Sequence, residues 1–357
     1  MSSFSYFDTP LCFDPPFGEP DRDGNQGFSV RSDGLVSFRL LAPEASRVEI
    51  DRFGTLFPLH KAEDGAWEGL FDLGRGFQYF FLKVDGADVL NPYLPIGYGC
   101  CRPMHFVDVP VQGEEAWDAL ADIPRGQVTR HTYFSSVTGK YEVCLVWTPF
   151  SFSANKRYPV LYLQHGYGEN EVGWVYQGHV GRIADRLLAD GRMKEMIIVM
   201  GNGMTRPADR AGVFALFPRV LLKDLIPFIE SRYPVLDDKW HRAMAGLSMG
   251  SFQTSLTTLS HPELFGYAGV FSGFLRSPRR EGDDSHLALL DDPAAFRDSF
   301  RVFYRAMGTD DMFFDRFLED DEMLAQKQAR MIRRTFPGGH DWSVWRRCIH
   351  DFLPMLF

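Results

Sequence analysis

Two kinds of hydrophobic pattern divide the chain. Between Phe28 and about Val109, short runs alternate apolar and polar residues, as in Val36–Leu40 and Phe77–Val84, and Asp-Gly turns separate some of them. Alternation with a period of two predicts half-buried strands. Strands that recur without an intervening helical period indicate a small antiparallel sandwich of the immunoglobulin-like kind.

The pattern changes after Gln127. Two strands within Gln127–Pro149 face each other across Thr138-Gly139-Lys140, and near-continuous apolar strands then alternate with amphipathic segments. The predicted apolar strands are Val160–Leu163, Met196–Met200, Ala268–Phe271 and Val302–Met307. The predicted helices include Ile183–Leu188, Leu221–Ile229 and Met323–Ile332. This alternation predicts an α/β fold with a doubly wound, mostly parallel sheet, whose ligands bind at the carboxyl ends of the strands.

The chain therefore divides into four predicted segments. Residues 1–25 are a Pro-, Asp- and Gly-rich extension, and residues 26–112 form the β-sandwich. Residues 113–126 are a polar, acidic linker, and residues 127–357 form the α/β domain.

Composition narrows the possible partners. The 357 residues carry a net charge of −9, which argues against nucleic acid, because phosphate binding needs clustered Lys and Arg. No apolar run approaches the roughly 18 residues of a membrane span, so no membrane partner is expected. Without a visible signal peptide we expect a cytoplasmic protein, although a removed leader of a secreted protein would leave the same trace. Nothing in the sequence indicates the oligomeric state.

The five cysteines show no C-x-x-C spacing. Adjacent Cys100-Cys101 leaves a metal or disulfide site open, but unpaired thiols are favoured. We expect no metal and no cofactor.

Gly246-Leu247-Ser248-Met249-Gly250 is a G-x-S-x-G motif between a partly apolar run and a segment of helical spacing. In a nucleophile elbow the serine lies on a tight turn between strand and helix, and the glycines allow their close approach. An ordinary Gly-rich turn is the alternative for this motif alone. Ser248 is the candidate nucleophile.

Gln164-His165-Gly166-Tyr167-Gly168 follows the first parallel strand. Acyl transfer to a serine needs backbone N–H donors for the oxyanion, one from the residue after the serine and one from an early loop. We expect Met249 and Tyr167 to supply them. His165 is interpreted as structural rather than as a base.

Two further loops supply the acid and base candidates. Gly308-Thr309-Asp310-Asp311 follows a predicted strand, and Asp311 is preferred as the acid, with Asp310 as the alternative. A helix N-cap pair is another reading of the two aspartates. His340, on a Gly-rich loop near the C-terminus, is the candidate base, and the order Ser248, Asp311, His340 is that of α/β-hydrolases.

The wider sequence resembles the putative-esterase family, which includes bacterial feruloyl and acetyl-xylan esterases, enterobactin esterases and S-formylglutathione hydrolases. The resemblance runs through Glu169–Trp174, Ile197–Gly203, Arg242–Gly250 and Gly339–Trp342, and covers roughly Gln127 to Phe357. It implies an α/β-hydrolase fold with Ser248 as nucleophile, His340 as base and Asp311 as acid. Ser251 departs from the pattern, because the family usually has a second glycine there.

Residues 26–112 resemble the early-set module of glycogen-branching enzymes and of some bacterial esterases, in Leu41–Ala45, Gly65–Gly69, Tyr79–Phe81, Val84–Gly86 and Asn91-Pro92. The resemblance implies either glucan or xylan binding or a structural spacer. Together the two resemblances favour a serine feruloyl esterase acting on ester-substituted plant polysaccharide.

For an aromatic acyl group, Trp174, Phe274 and Trp342 are candidate slot residues; capping of the core is the alternative. Acetyl-xylan and enterobactin-type esterases remain alternatives, the latter because of the basic run Arg276–Arg280. A carbohydrate-binding protein with an inactive hydrolase domain is the alternative of another class.

Overall fold

The computed structural model describes residues 26–111, 113, 123–205, 213–277 and 283–357, without the side chains of 213–215. The chain forms two compact units, Met1–Glu115 and Ala116–Phe357. The predicted extension, residues 1–25, and most of the predicted linker lie outside the described residues.

Strands alone make up the regular structure described in the first unit. They are β1 Gly27–Val30, β2 Val36–Leu41, β3 Val48–Arg52, β4 Thr55–Pro58, β5 His60–Lys61, β6 Ala66–Phe71, β7 Gly76–Val84, β8 Ala87–Val89, β9 Ile96–Gly99 and β10 Arg102–Val109. One sheet has the order β1-β2-β6-β5, and the other β4-β3-β7-β10-β9, with β8 paired to β7. Phe38 and Trp67 of the first sheet and Ile50 and Phe80 of the second share one core. The all-β architecture is confirmed; the identity of an early-set module stays a prediction.

The second unit is built on one large sheet. Its strands are β11 Gln127–Ser135, β12 Lys140–Thr148, β13 Val160–Gln164, β14 Ile197–Gly201, β15 Arg242–Leu247, β16 Tyr267–Phe271, β17 Val302–Gly308 and β18 Ile332–Phe336. Their order is β11-β12-β14-β13-β15-β16-β17-β18. The hairpin β11–β12 is antiparallel, and β13 to β18 run parallel to one another. The predicted mostly parallel sheet is confirmed.

Helices cover both faces of this sheet. They are α1 Gly173–Tyr176, α2 Val180–Ala189, α3 Val213–Val220, α4 Ile226–Arg232, α5 Met249–Ser260, α6 Pro293–Ser299, α7 Phe314–Gln326 and α8 Trp342–Phe352. A π-helical segment, Leu221–Leu225, joins α3 to α4. Val270 of β16 shares a core with Leu259 of α5, whereas the next residue, Phe271, packs against Phe352 of α8 on the opposite face.

One predicted helix is wrong in its bounds. Met323–Ile332 was expected to be helical, but α7 already begins at Phe314 and ends at Gln326. Gln328 then adopts φ +54°, a left-handed conformation that no helix continues, and Ile332 begins β18. The predicted Ile183–Leu188 and Leu221–Ile229 lie within helical segments.

Three properties of the described residues bear on function. No helix among them is long and apolar enough to cross a membrane. No group of three or more His, Cys, Asp or Glu side chains in these ranges is placed to hold a metal ion. The four cysteines that they contain form no disulfide, and Cys100 and Cys101 are exposed.

Candidate active site

The G-x-S-x-G motif forms a sharp turn between β15 and α5. Ser248 has φ +51° and ψ −115°, a backbone conformation that is strained for a residue with a side chain. The flanking glycines are required by contact. A Cβ on Gly246 would lie 2.4 Å from the carbonyl oxygen of Gly250, and a Cβ on Gly250 would lie 2.6 Å from that of His165. The turn therefore presents Ser248 at the carboxyl edge of the sheet.

The structure brings Ser248, His340 and Asp311 together. The Oγ of Ser248 lies 3.0 Å from Nε2 of His340, and Nδ1 of His340 lies 2.8 Å from Oδ2 of Asp311. If Nδ1–H donates to the carboxylate, Nε2 is left as the acceptor for the serine hydroxyl. Ser248 and His340 are half-buried, so a ligand can reach both.

The two candidate aspartates differ sharply in their surroundings. Asp311 is 4% exposed, and its second oxygen, Oδ1, accepts the N–H of Phe313 at 2.9 Å. Asp310 is exposed, and its backbone N–H donates to the carbonyl of Gly338. Only Asp311 faces the imidazole.

Aromatic rings flank the imidazole on two sides. The ring centroids of Phe313 and Trp345 each lie 5.2 Å from that of His340, in edge-to-face geometry. Phe313 also packs edge-to-face on Phe274 at 5.0 Å. These contacts limit rotation of His340, so the imidazole stays aligned with Ser248. Phe313 could not be singled out from the sequence, because it stands two residues after Asp311 in an ordinary Phe-Phe pair.

The loop after β13 lies directly against Ser248. A Cβ on Gly166 would lie 2.7 Å from Cδ1 of Leu247 and 3.3 Å from Cβ of Ser248. Met249 is the first residue of α5, where backbone N–H groups have no acceptor within the helix. The backbones of Tyr167 and Met249 thus stand on segments that meet at Ser248, and Tyr167 has 55% of its surface exposed.

His165 is placed as a structural residue. Its Nδ1–H donates to the carbonyl of Gly166, and its Nε2 accepts the N–H of Gly203, each at 2.8 Å. Burial lowers the pKa of His165 to about 4, so the ring is neutral at physiological pH. Both ring nitrogens are used to hold the loop, which leaves none for proton transfer.

Two of the candidate slot residues are corrected by the structure. Trp174 and Trp342 are only 1% and 2% exposed and pack edge-to-face on each other at 5.3 Å. The indole N–H of Trp174 donates to the carbonyl of Gln164, and that of Trp342 to the carboxylate of Glu169. Neither ring lines an open slot. They belong to the core, which was the alternative for these residues: Trp342 begins α8, and Trp345 of the same helix also packs against it at 5.0 Å.

Phe274 and Arg276 follow β16. Phe274 is 7% exposed and supports Phe313, so it lies behind the site rather than at its surface. Arg276 pairs with Asp320 and Glu319. That guanidinium is therefore neutralised within the chain, and the rest of the basic run, residues 278–280, lies outside the described residues.

Ser251 has a role that the sequence did not reveal. Its hydroxyl donates to the carbonyl of Ser248 at 2.5 Å and accepts the N–H of Phe274 at 2.9 Å. A fully buried serine, 0% exposed, thus ties the elbow to the loop after β16. The only signal in the sequence was the expected departure from the family pattern, a serine in place of a glycine three residues after Ser248.

Comparison with known proteins agrees with this geometry. A family model described as "Putative esterase" matches residues 135–356. The chain is 33% identical, over 96% of its length, to an "Endo-1,4-beta-xylanase/feruloyl esterase" of Xylanibacter ruminicola. The match covers 47% of that relative, so the chain spans less than half of the relative's length.

Solved structures show the same fold. A ferulic acid esterase matches with a TM-score of 0.57 and 28% identity, covering 65% of this chain and 97% of its own. The enterobactin esterase of Shigella flexneri matches with a TM-score of 0.66 and 15% identity, over 92% of this chain and 95% of its own. At that identity the second likeness concerns the fold alone.

Proposed function

Because the chain belongs to the putative-esterase family, we propose that it hydrolyses carboxylic esters through an acyl-enzyme on Ser248. The observation that carries the proposal is the pair of contacts from His340, 3.0 Å to the Oγ of Ser248 and 2.8 Å to Oδ2 of Asp311. These distances lie within hydrogen-bond reach, which a general base needs in order to take the serine proton.

The proposed reaction has two halves. In the first, Nε2 of His340 takes the proton of Ser248 as Oγ attacks the ester carbonyl, and Asp311 stabilises the imidazolium. The imidazolium then gives its proton to the leaving alcohol. In the second half, water enters and attacks the acyl-enzyme while Nε2 of His340 takes its proton. The imidazolium then returns that proton to Oγ of Ser248 as the carboxylic acid leaves.

The oxyanion of each tetrahedral intermediate needs fixed donors. The N–H groups of Met249 and Tyr167 are proposed for this role, since both segments contact the turn at Ser248. Such donors are worth about 10²–10³ in rate each, because they stabilise charge that develops only in the transition state.

Feruloyl or another hydroxycinnamoyl group, linked to plant cell-wall polysaccharide, is the proposed substrate. The support is the 33% identity to a protein named as a xylanase and feruloyl esterase, together with the likeness to a ferulic acid esterase. The pairing of Arg276 with Asp320 and Glu319 weighs against the enterobactin-type alternative, because a paired guanidinium attracts an anionic ligand less.

The activity test compares the wild-type chain with Ser248→Ala on methyl ferulate and on short-chain acyl nitrophenyl esters. We expect the wild type to prefer the aromatic acid and the variant to lose at least about 10³ in kcat. Normal turnover by the variant would refute the mechanism. Indifference of the wild type to the aromatic acid would favour an acetyl-xylan esterase.

A fluorophosphonate probe separates catalysis from binding. The proposal expects covalent labelling of Ser248 in the wild-type chain and none in Ser248→Ala. Absence of label together with binding of xylan would indicate a carbohydrate-binding protein with an inactive hydrolase domain.

A further inference from the structure

Two large aromatic side chains are exposed on the hairpin β11–β12. Phe134 is 57% and Tyr141 71% exposed, and they are directly opposite each other in the register of the two strands. Their ring centroids lie 5.6 Å apart with an interplanar angle of 77°. Scattered single hydrophobic residues on a surface need no explanation, but two exposed rings in contact form a small patch.

The register of the sheet places this patch at the edge that holds Ser248. One row of paired residues crosses four neighbouring strands: Val146, Val199, Tyr162 and Met244. Ser248 follows Met244 by four residues, and Tyr167 follows Tyr162 by five. Tyr141 precedes Val146 by five residues, and because β12 runs antiparallel to β14, preceding residues of β12 lie toward the carboxyl ends of the parallel strands. All three residues are therefore beyond the carboxyl ends of the parallel strands.

The lateral distance along this edge is short. β12 is three strand positions from β15, which corresponds to about 14 Å at the usual spacing of strands. Tyr167, 55% exposed, follows β13, which lies next to β15 and between it and the hairpin. The hairpin pair and Tyr167 thus stand on the same side of Ser248 along the sheet order.

The surroundings of the pair favour a sugar chain over a protein. Thr132 and Arg130 precede Phe134 on the same outward face of β11 and are exposed and polar. A specific protein interface needs about 800 Å² from each partner and a connected apolar centre, which two rings among polar residues do not provide. Sugars present flat C–H faces that lie on aromatic rings and hydroxyl edges that bond to polar neighbours. The net charge of −9 also disfavours a polyanion.

We propose that Phe134 and Tyr141 form a second binding site for the uncharged carbohydrate chain whose ester is cleaved at Ser248. This inference deepens the proposed function and rests on it for the identity of the chain as a substituted xylan. The site would hold the polymer about 14 Å or more from the reacting ester, given the spacing of the strands. It would therefore lower the KM for polymer without touching the acyl group.

The binding experiment uses the full chain carrying Ser248→Ala, so that no ester is consumed. Affinity for soluble arabinoxylan and for xylohexaose is measured with and without Phe134→Ala plus Tyr141→Ala. Loss of ring stacking is expected to weaken binding about three- to tenfold. Tyr141→Phe, which keeps a ring, is expected to keep the affinity within about twofold.

Phe150→Ala is the matched control. Phe150 is 69% exposed but follows the other end of β12, away from Ser248. We expect no change in affinity for this variant. The proposal would be overturned if the chain without the two rings bound the polysaccharide as tightly as the Ser248→Ala chain that keeps them. It would also be overturned if Phe150→Ala weakened binding as much as the loss of the two rings does.

Kinetics provide the second readout. In the active chain, Phe134→Ala plus Tyr141→Ala should raise the KM for feruloylated arabinoxylan about three- to tenfold, with kcat and methyl ferulate hydrolysis nearly unchanged. An equal loss on both substrates would indicate a structural role and contradict the site. If the wild type cleaves no ester but the hairpin variants still lose polysaccharide binding, the proposed function fails and the binding site stands.

Discussion

The hydroxyl of Ser251 donates to the carbonyl of Ser248 at 2.5 Å, so the residue three positions after the nucleophile holds the strained turn from behind. The same oxygen accepts the N–H of Phe274. Replacing Ser251 by glycine would remove both bonds and leave a gap beside Gly273, because a Cβ built on Gly273 would lie only 1.7 Å from the Ser251 hydroxyl oxygen. Ser251 is thus a positioning residue.

We expect Ser251→Ala to lower the free energy of unfolding by about 1–3 kcal/mol, because two buried polar groups lose their partner. It should also lower kcat more than it changes KM, since the turn that presents Ser248 loses support. Chemical denaturation and steady-state kinetics on an aryl ester measure the two effects.

Ser255→Ala is the control for this change. Its hydroxyl, one turn further along α5, donates instead to the carbonyl of Leu275 at 3.0 Å. A comparable loss of stability with unchanged kcat is expected. If Ser255→Ala and Ser251→Ala lower kcat equally, the positioning role is wrong.

The two adjacent aspartates give a paired test of the acid. Asp311→Asn should lower kcat by about 10²–10⁴, because the amide no longer stabilises the imidazolium and favours the wrong tautomer of His340. Asp310→Asn, on an exposed side chain, should stay within about threefold of the wild type. Reversal of this order in steady-state kinetics would assign the acid to Asp310.

Gly166 tests the proposed oxyanion loop. In Gly166→Ala the new Cβ would meet Cδ1 of Leu247 at 2.7 Å and Cβ of Ser248 at 3.3 Å. Because Leu247 is fully buried, its side chain has little room to yield, and we expect the loop to move away from Ser248. Displacement of one donor predicts a loss of about 10² in kcat. Gly191→Ala is the control, because a Cβ there meets open space although its φ is +66°. It should cost stability while retaining activity, and full activity of Gly166→Ala would contradict the assignment of the loop.

Glu171 predicts a pH dependence of stability. Its side chain is 1% exposed, and Oε2 accepts the amide N–H of Asn202, whereas Oε1 makes no hydrogen bond within the described residues. Burial raises the pKa of Glu171 from its usual value near 4.5 to about 7. The folded state therefore binds this proton more tightly than the unfolded state does. The stabilisation that protonated Glu171 contributes is complete below about pH 4.5, and it is lost as the pH rises through about 7.

Glu171→Gln should flatten this decline. Between pH 4.5 and pH 8, the variant should lose about 2–3 kcal/mol less of its free energy of unfolding than the wild type loses. Some slope should remain, because burial also raises the pKa of Asp185 to about 6. Urea denaturation between pH 4.5 and 8 measures the pH dependence of the free energy of unfolding. Glu44→Gln, which changes an exposed carboxylate, is the control and should leave that dependence unchanged. An unchanged slope in Glu171→Gln would show that Glu171 is ionised in the folded chain at neutral pH.

The contacts among Ser248, His340 and Asp311 were predictable because each of the three residues sits in a short local motif at the end of a strand. Ser248 lies between the elbow glycines, Asp311 follows β17, and His340 follows β18. Parallel strands bring their carboxyl ends to one edge, so topology alone places the three loops together. The preference for Asp311 over Asp310 anticipated the contact with His340 that the structure shows.

Burial by distant segments was not predictable. Their position on loops near the candidate site left Trp174 and Trp342 open to either a slot or the core, and the structure shows the core: each ring is enclosed by the other and by glycine backbone at Gly173 and Gly178. Likewise, the end of α7 depends on the positive φ of Gln328 and on the pairing of Ile332 with Tyr304. Both outcomes depend on tertiary contacts that a local pattern does not contain.

The most direct test is to trap the acyl-enzyme. A slowly hydrolysed aryl ester is mixed with the full chain, quenched in acid within one turnover, and followed by intact mass spectrometry and peptide mapping. We predict one acyl group, on the peptide that contains Ser248, and none in Ser248→Ala. An acyl group on any other residue, or rapid product release with no acylated Ser248 at any time, would contradict the account.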